Sequence, residues 1–404
     1  MKILQINKFF ERRGGAEVYM HELSQELESR GHEVHFFATR SPRVETSKDQ
    51  DFFVLRHNYD RKEGVKKDLA KAINFLWNKE AKKSLSEMLT QIRPDVIHLH
   101  NIYHHLSSSI LSAIKKSGIP CVQTLHDYKL ACPNYKMYTK GSACERCKGG
   151  KYYQAIKNQC LFPGMAPNIL AAMEMYMTKI SQSYERTVGT FICPSNFLKI
   201  KMQEWGEPDS KLVYLPNPVR VNKDLSPQRG SGSYLYLGRL YPEKGVENII
   251  RAIARVPDVD LEIVGDGPDR YRLENLANTI APGRVMFLGY RSGDDLQTLR
   301  KNAKALLVPS VWYENAPLSV LESMADGVPV IASDIGGLPE LITDGLGGFL
   351  AKPGDVDSWI EAILQMENLS QEQRLAMGIE GQNFVYKNMN WDVHIKNLLE
   401  IYKK

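Results

Sequence analysis

The chain has 404 residues, 43% hydrophobic and 25% charged, an ordinary globular balance that implies two or three domains and a sizeable buried core. Its formal net charge of +5 is too small for this length to imply a nucleic-acid partner, and no run reaches the roughly 20 apolar residues of a spanning helix. The first ten residues, MKILQINKFF, hold an apolar run too short for a signal-peptide core and broken by Gln5 and Asn7; they read as a β-strand opening a cytoplasmic protein.

In chain order, KILQI, EVHFFA, VIHLH and CVQTLH are short apolar strands, separated by amphipathic helical stretches such as 16–29 and 106–116. The second half repeats the rhythm, with strands YLYLG, DLEIVG, RVMFLG, ALLVPS and VPVIAS and helices VENIIRAIARV and DRYRLENLANTI. Parallel strands need crossover connections, so this alternation predicts an α/β fold of two Rossmann-like domains, each a parallel sheet covered by helices. Pro, Asn, Gly and Ser interrupt the periodicity at 214–233, which predicts domains at 1–213 and 234–387 with a linker between them. Residues 388–404 read as a final amphipathic helix.

Such sheets bind ligands at the carboxyl ends of their strands, so the chemistry belongs in the loops that follow them. After the first strand, Gly14 and Gly15 strip side chains from a helix start, where backbone N–H groups suit an anion or simply make a tight turn. After YLYLG, the sequence RLYPEKG offers Arg239 and Lys244 on one loop, two cations suited to a diphosphate or to a solvated turn. Further on, WYENAPLSVLESMADGVPVIAS sets Glu314 and Glu322 eight positions apart. Pro317 is favoured as the first helical residue, which leaves Glu314 in the loop and Glu322 in the second turn, with free amides between the two acids. Eight helical residues span about 12 Å, the scale of a diphosphate with a sugar at one end and a ribose at the other. Two carboxylates stabilising a helix dipole have the same spacing.

GRLYPEKG, IVGDGPDR, VPSVWYENAPLSVLESMADGVPVIAS and GGLPELITDGLGGFL, in this order, resemble the family 4 retaining glycosyltransferases. The diglycine loop and HDYKLACPNY extend the similarity over nearly the whole chain. The resemblance implies the GT-B fold, with two sheets facing across a cleft and the last helix crossing back to the first domain. It also implies transfer of a sugar from a UDP- or GDP-sugar to a hydroxyl acceptor, with the anomeric configuration kept, in glycolipid or cell-surface polysaccharide synthesis. Residue by residue, Glu314 and Glu322 match the acids of the E-x7-E signature, Arg239 and Lys244 the diphosphate-binding cations, and His126 a histidine near the transferred sugar. Gly14 and Gly15 match the loop over the donor phosphates, while Gly238, Gly265, Asn315, Ala316, Pro317 and Leu318 fall on the donor-binding loops. Where many members have Gly-Phe-Gly after the first acid this chain has Asn315, Ala316 and Pro317, and Asp326 stands where a small residue is usual.

Cys132, Cys144, Cys147 and Cys160 lie within an insertion at about 130–165. Four thiols with one Cys-x2-Cys pair fit a structural zinc site, unpaired thiols or a labile disulfide, and spacing leaves these open. Catalysis itself is expected to need no metal, because Arg239, Lys244 and a helix amino terminus suffice to neutralise a diphosphate. Residues 61–83 carry eight Lys or Arg against three Asp or Glu, with Leu69, Ile73, Leu76 and Trp77 available for one face. Such a stretch suits peripheral contact with an anionic membrane that presents a lipid-linked acceptor, or else a solvated helix packed by its apolar side. A nucleotide-sugar epimerase of the same fold and a non-catalytic nucleotide- or sugar-binding protein are the competing functions; GDGPDR lacks the third glycine of a dinucleotide fingerprint.

Overall fold

A computed structural model describes residues 1–41, 47–59, 63–220, 232–344 and 347–403. Most of the expected linker, 221–231, and the first two residues of the basic stretch, 61 and 62, lie outside the described residues. The chain forms two compact units, one of Met1–Met137, Glu145–Leu215 and Ile395–Lys404, the other of Tyr138–Cys144 and Pro216–His394.

The first unit contains β1 (Lys2–Phe9), α1 (Gly15–Ser29), β2 (Glu33–Thr39), α2 (Val65–Leu76), α3 (Lys79–Ile92), β3 (Val96–Leu99), α4 (Ser109–Ser117) and β4 (Cys121–Thr124). Next come β5 (Tyr138–Thr139) and β6 (Ser142–Ala143), an antiparallel hairpin that groups with the second unit. The first unit resumes with α5 (Gln154–Asn158), α6 (Met165–Ser181), β7 (Thr190–Cys193), α7 (Asn196–Glu204) and β8 (Leu212–Tyr214). Its sheet has the order β2-β1-β3-β4-β7-β8, every pairing parallel. The chain leaves β1 toward β2 and later returns to its other side with β3, so the order reverses between β1 and β3.

The second unit runs β9 (Tyr234–Leu237), α8 (Val246–Arg255), β10 (Leu261–Val264), α9 (Arg270–Ile280), β11 (Val285–Gly289), α10 (Gly293–Asn302), β12 (Leu306–Val308), α11 (Leu318–Ala325) and β13 (Val330–Ser333). It continues with α12 (Leu338–Leu341), β14 (Thr343–Asp344), β15 (Gly347–Ala351), α13 (Val356–Asn368), α14 (Gln371–Asn388) and the start of α15 (Trp391–Tyr402). The order β11-β10-β9-β12-β13-β15-β14 is again parallel throughout and reverses between β9 and β12. Neighbours on one strand go to opposite faces: Leu307 packs with Ile249, Ile253, Trp359 and Ile363, whereas Leu306 packs with Val320, Leu321, Met324 and Val385. Both faces are therefore covered, which is why these strands read as continuous apolar runs. In α8, Val246, Ile249, Ile250 and Ile253 fall at the i, i+3, i+4, i+7 spacing and are all buried, each contributing about 1.5–3 kcal/mol.

The last helix starts at Trp391 rather than 388, because α14 runs on to Asn388. Residues through His394 group with the second unit and those from Ile395 with the first.

Candidate active site

In each unit the loops on either side of the order reversal carry the polar chemistry, the place where open parallel sheets form a ligand crevice. In the second unit these are the loops after β9 and β12. Pro242–Lys244 makes a single 3-10 turn closed by Gly245 in the left-handed region at φ 65°. A Cβ at Gly245 would lie 2.0 Å from the Pro309 carbonyl oxygen, so only glycine lets the two loops meet. Across that contact Lys244 Nζ reaches Glu314 Oε1 at 2.7 Å. Ser310 Oγ donates to the same oxygen at 2.5 Å and Trp312 Nε1 at 2.8 Å. Burial pushes the Glu314 carboxyl up, but the Lys244 ammonium and the two neutral donors outweigh it and hold it below the usual range. With all three donors on Oε1, Oε2 keeps no partner among the described residues. The backbone at Glu314 is held too. Its carbonyl accepts from Gly337 N at 2.7 Å, while Gly336 at φ 67° would place a Cβ 2.3 Å from the same oxygen.

Pro317 differs from expectation. Its φ of −68° and ψ of 124° are extended, so it caps the helix and Leu318 is the first helical residue. The amides of Leu318 and Ser319 are thus among the first-turn donors that have no helical acceptor. Half-buried Asn315 precedes Ala316, whose carbonyl accepts from Asn217 Nδ2 at 3.0 Å. Arg239 is exposed, lies 5.3 Å from the Tyr241 ring and makes no ion pair among the described residues. Gly238 and Gly265 end adjacent strands, and a Cβ on Gly265 would fall 1.9 Å from the Gly238 carbonyl oxygen.

Glu322 sits in the second turn of α11 and receives Arg300 Nη1 at 2.8 Å. Arg300 Nε also meets Asp326 Oδ2 at 2.5 Å, which gives Asp326 the role that sequence alone did not supply. This arginine, itself 9% exposed, anchors both acids of one helix face. Because Asp326→Ala leaves a buried guanidinium short of one partner, it is expected to reduce unfolding free energy by about 3 kcal/mol. The urea midpoint reads this, and an unchanged midpoint would show that the ion pair contributes nothing.

In the first unit, Gly14 caps α1 with extended backbone, φ −164°, so the turn does not itself require glycine; the missing side chain keeps the helix start open at Gly15. His126 follows β4 and is half-buried. Its Nε2 lies 2.9 Å from His100 Nδ1, and His100 Nε2 lies 2.8 Å from Gln5 Oε1. The Gln5 carbonyl can only accept, so His100 donates to it through Nε2 and receives His126 Nε2–H at Nδ1. His126 Nδ1 is left as an acceptor. Burial pushes His126 down to about 3 and His100 well below its ordinary value, so both rings are neutral near pH 7. Beside them Lys8 Nζ lies 3.6 Å from the Tyr103 ring centroid and the Tyr103 hydroxyl donates to Asp127. Lys129 and Glu174 pair at 2.6 Å.

Sequence reasoning missed Ser310, Trp312, Gly336, Gly337, Arg300, Gln5 and His100. Only His98 and His100, two apart at the end of the VIHLH run, gave a local signal.

Among the described residues no disulfide joins Cys132, Cys144, Cys147 or Cys160. Cys132 Sγ approaches Asn134 Oδ1 at 3.0 Å, Cys147 is buried, and Cys144 falls in the hairpin grouped with the second unit. Among the described residues no group of three or more His, Cys, Asp or Glu is disposed to hold a metal. The chain has three Asp-x-Asp triplets, at 49–51, 258–260 and 355–357; Asp49 accepts from the His35 ring and the Phe36 amide, and Asp355 caps α13.

Comparison with known proteins agrees with this architecture. Residues 13–223 match Glycosyltransferase Family 4 and residues 223–384 match glycosyl transferases group 1. An uncharacterized glycosyltransferase of Methanocaldococcus jannaschii is 29% identical over 214 residues, 53% of this chain and 59% of that one, so the match spans less than two thirds of that relative. Among solved structures, sucrose-phosphate synthase from Thermosynechococcus elongatus superposes with TM-score 0.72 at 19% identity, covering 100% of this chain and 98% of that one. Anabaena HepE in complex with UDP and glucose superposes with TM-score 0.66 at 17% identity, covering 100% of both chains. The chain belongs to glycosyltransferase family 4, within the group 1 glycosyltransferases, and has the GT-B fold.

Proposed function

We propose that the protein transfers a glycosyl group from a nucleoside diphosphate sugar to a hydroxyl acceptor with retention of anomeric configuration, without a catalytic metal. The observation that carries this reading is the Lys244–Glu314 pair at the sheet's order reversal, a cation and an acid brought together from loops 70 residues apart. Lys244, unpaired Arg239 and the first amides of α11 oppose the charge that grows on the departing diphosphate. Glu322 accepts from ribose hydroxyls. Glu314 Oε2 accepts from a hydroxyl of the transferred sugar; His126 Nδ1 is likewise an acceptor suited to a sugar hydroxyl. As the anomeric C–O bond to phosphate breaks, the acceptor oxygen bonds the same face and its proton passes to the departing phosphate oxygen. A covalent role for Glu314 is disfavoured because Lys244 and its other donors lower its basicity, which makes it a poor nucleophile.

A UDP-sugar is the first donor to test, since Anabaena HepE was solved with UDP and glucose. The acceptor is proposed to be lipid-linked, on the route to a glycolipid or surface polysaccharide. Slow donor hydrolysis is expected from one member of a UDP- and GDP-sugar panel, and nuclear magnetic resonance of the first product from an α-linked donor should show an α-linkage. A β-product would refute retention, and strict magnesium dependence would refute the metal-free reading. An epimerised donor, or nucleotide binding without any turnover, would favour the competing functions.

A further inference from the structure

α6 carries apolar residues on both sides. Ala171, Ala172 and Met175 are buried together with Asn168, Glu174 and Thr178, whereas Met165, Ile169, Met173, Met177 and Ile180 are 62%, 37%, 44%, 41% and 81% exposed. The exposed five recur at intervals of three and four residues and so form a second apolar stripe facing solvent, where an ordinary surface helix is polar. The cause lies on its inner side. Glu174 binds Lys129 at 2.6 Å and lies 3.4 Å from His104, and Lys129 and His104 come from the loops after β4 and β3. α2, which packs on α6, repeats the pattern: Lys71 and Phe75 are buried while Val65, Leu69 and Ile73 are 87%, 62% and 53% exposed. Trp77 stands at the end of that stripe. Two adjoining helices therefore expose apolar stripes in a unit whose other helices bury theirs, and contiguous patches of this kind mark an interface.

Charge selects the occupant. Lys66 and Lys67 are exposed alongside Val65 and Leu69, Lys67 being only 3.9 Å from Glu63, and Lys79 and Lys83 are exposed where the next helix begins. A symmetric dimer through this face would set lysine against lysine. An anionic lipid surface gives them counter-charges and takes the apolar side chains and Trp77 at its headgroup boundary. We propose that α2 and α6 together form the surface by which the protein lies on an anionic phospholipid bilayer, with α6 inserting its Met and Ile stripe and the lysines of α2 and α3 holding the headgroups. This rests on the transferase reading for its purpose: the inner side of α6 faces the loops at the strand ends, so a lipid-borne acceptor would meet them next to its own bilayer.

Co-sedimentation with phosphatidylcholine vesicles containing a low, an intermediate and a high fraction of phosphatidylglycerol tests it at low and high salt. Binding should rise with the anionic fraction and fall with salt. Lys66→Gln/Lys67→Gln should weaken it about thirty-fold, from roughly a factor of five per cation near the surface. Ile169→Gln/Met173→Gln/Ile180→Gln should weaken it further while leaving the melting temperature unchanged or raised, because these side chains are exposed. Binding indifferent to both sets of changes overturns the proposal, as does concentration-dependent dimerisation that the α6 changes abolish. Donor hydrolysis in buffer, measured on the same samples, should be equal in all variants. Its absence from the wild-type protein would sink the transferase reading and leave the vesicle result standing.

Discussion

Lys244→Met should produce the largest loss of any single change in the second unit. The buried Glu314 carboxylate then loses its counter-charge and keeps only Ser310 and Trp312. Removing one member of such a pair costs about 3 kcal/mol, which appears as a lower urea midpoint. Turnover should fall by about 10²–10³ because the leaving diphosphate loses a cation. Lys244→Met/Glu314→Gln separates the two effects. With a neutral amide in the buried position no charge is stranded, so stability should return to near that of the parent while turnover stays low. Recovery of both would make the pair purely structural, and recovery of neither would mean that the amide cannot be accommodated.

The second large effect is acid lability, expected well above the pH at which carboxylates titrate. Burial pushes His104 down to about 4, His126 down to about 3 and His394 down to about 4, and puts His100 far below its ordinary value. Their unfolded values are near 6.5, so between that pH and the folded values the unfolded chain binds more protons. The stabilisation is complete above 6.5 and is lost as pH falls. For His104 alone, 8% exposed, crossing the whole window is worth about 3 kcal/mol. Glu174 titrates later. Burial opposes its ionisation, but Lys129 and His104 hold it at about 2, so its contribution persists above the unfolded carboxylate value and disappears only below it. Urea unfolding at pH 7, 6 and 5 should give falling midpoints, and a flat profile over that range would refute the assignment of buried neutral histidines. Because His126 is already neutral, it should add no inflection near 6.5 to the pH dependence of kcat/KM.

The parallel sheets were legible because buried strands such as YLYLG and VPVIAS are unbroken apolar runs and their crossover helices have clear 3.6-residue periodicity. The short strands TFIC and LVY gave too few residues to establish a period, and β15, GGFLA, begins with two glycines that read as a turn. At the site, Glu314 and Glu322 could be singled out from spacing and resemblance, but their partners could not. Lys244 is 70 residues from Glu314, Arg300 is 22 from Glu322 and Gln5 is 95 from His100. Such contacts follow from strand order and register, which a single sequence does not display. Asp326 marks the same limit: an acid at the end of a helix with no local cation gains its meaning from a neighbouring helix. α6 shows a subtler one, since periodicity reveals that a helix has an apolar side without revealing whether that side faces the protein or the water.

The outward stripe of α6 sets a trap for anyone improving the protein by selection in a test tube. In water, Met165, Ile169, Met173, Met177 and Ile180 leave much apolar surface exposed, so screens for yield, solubility or heat resistance should accumulate Lys, Glu and Gln there. The winners would express well, melt higher and hydrolyse soluble donor at the parental rate, yet fail on acceptors that sit in a bilayer. Stability and usefulness would part company at five positions remote from the reacting bond.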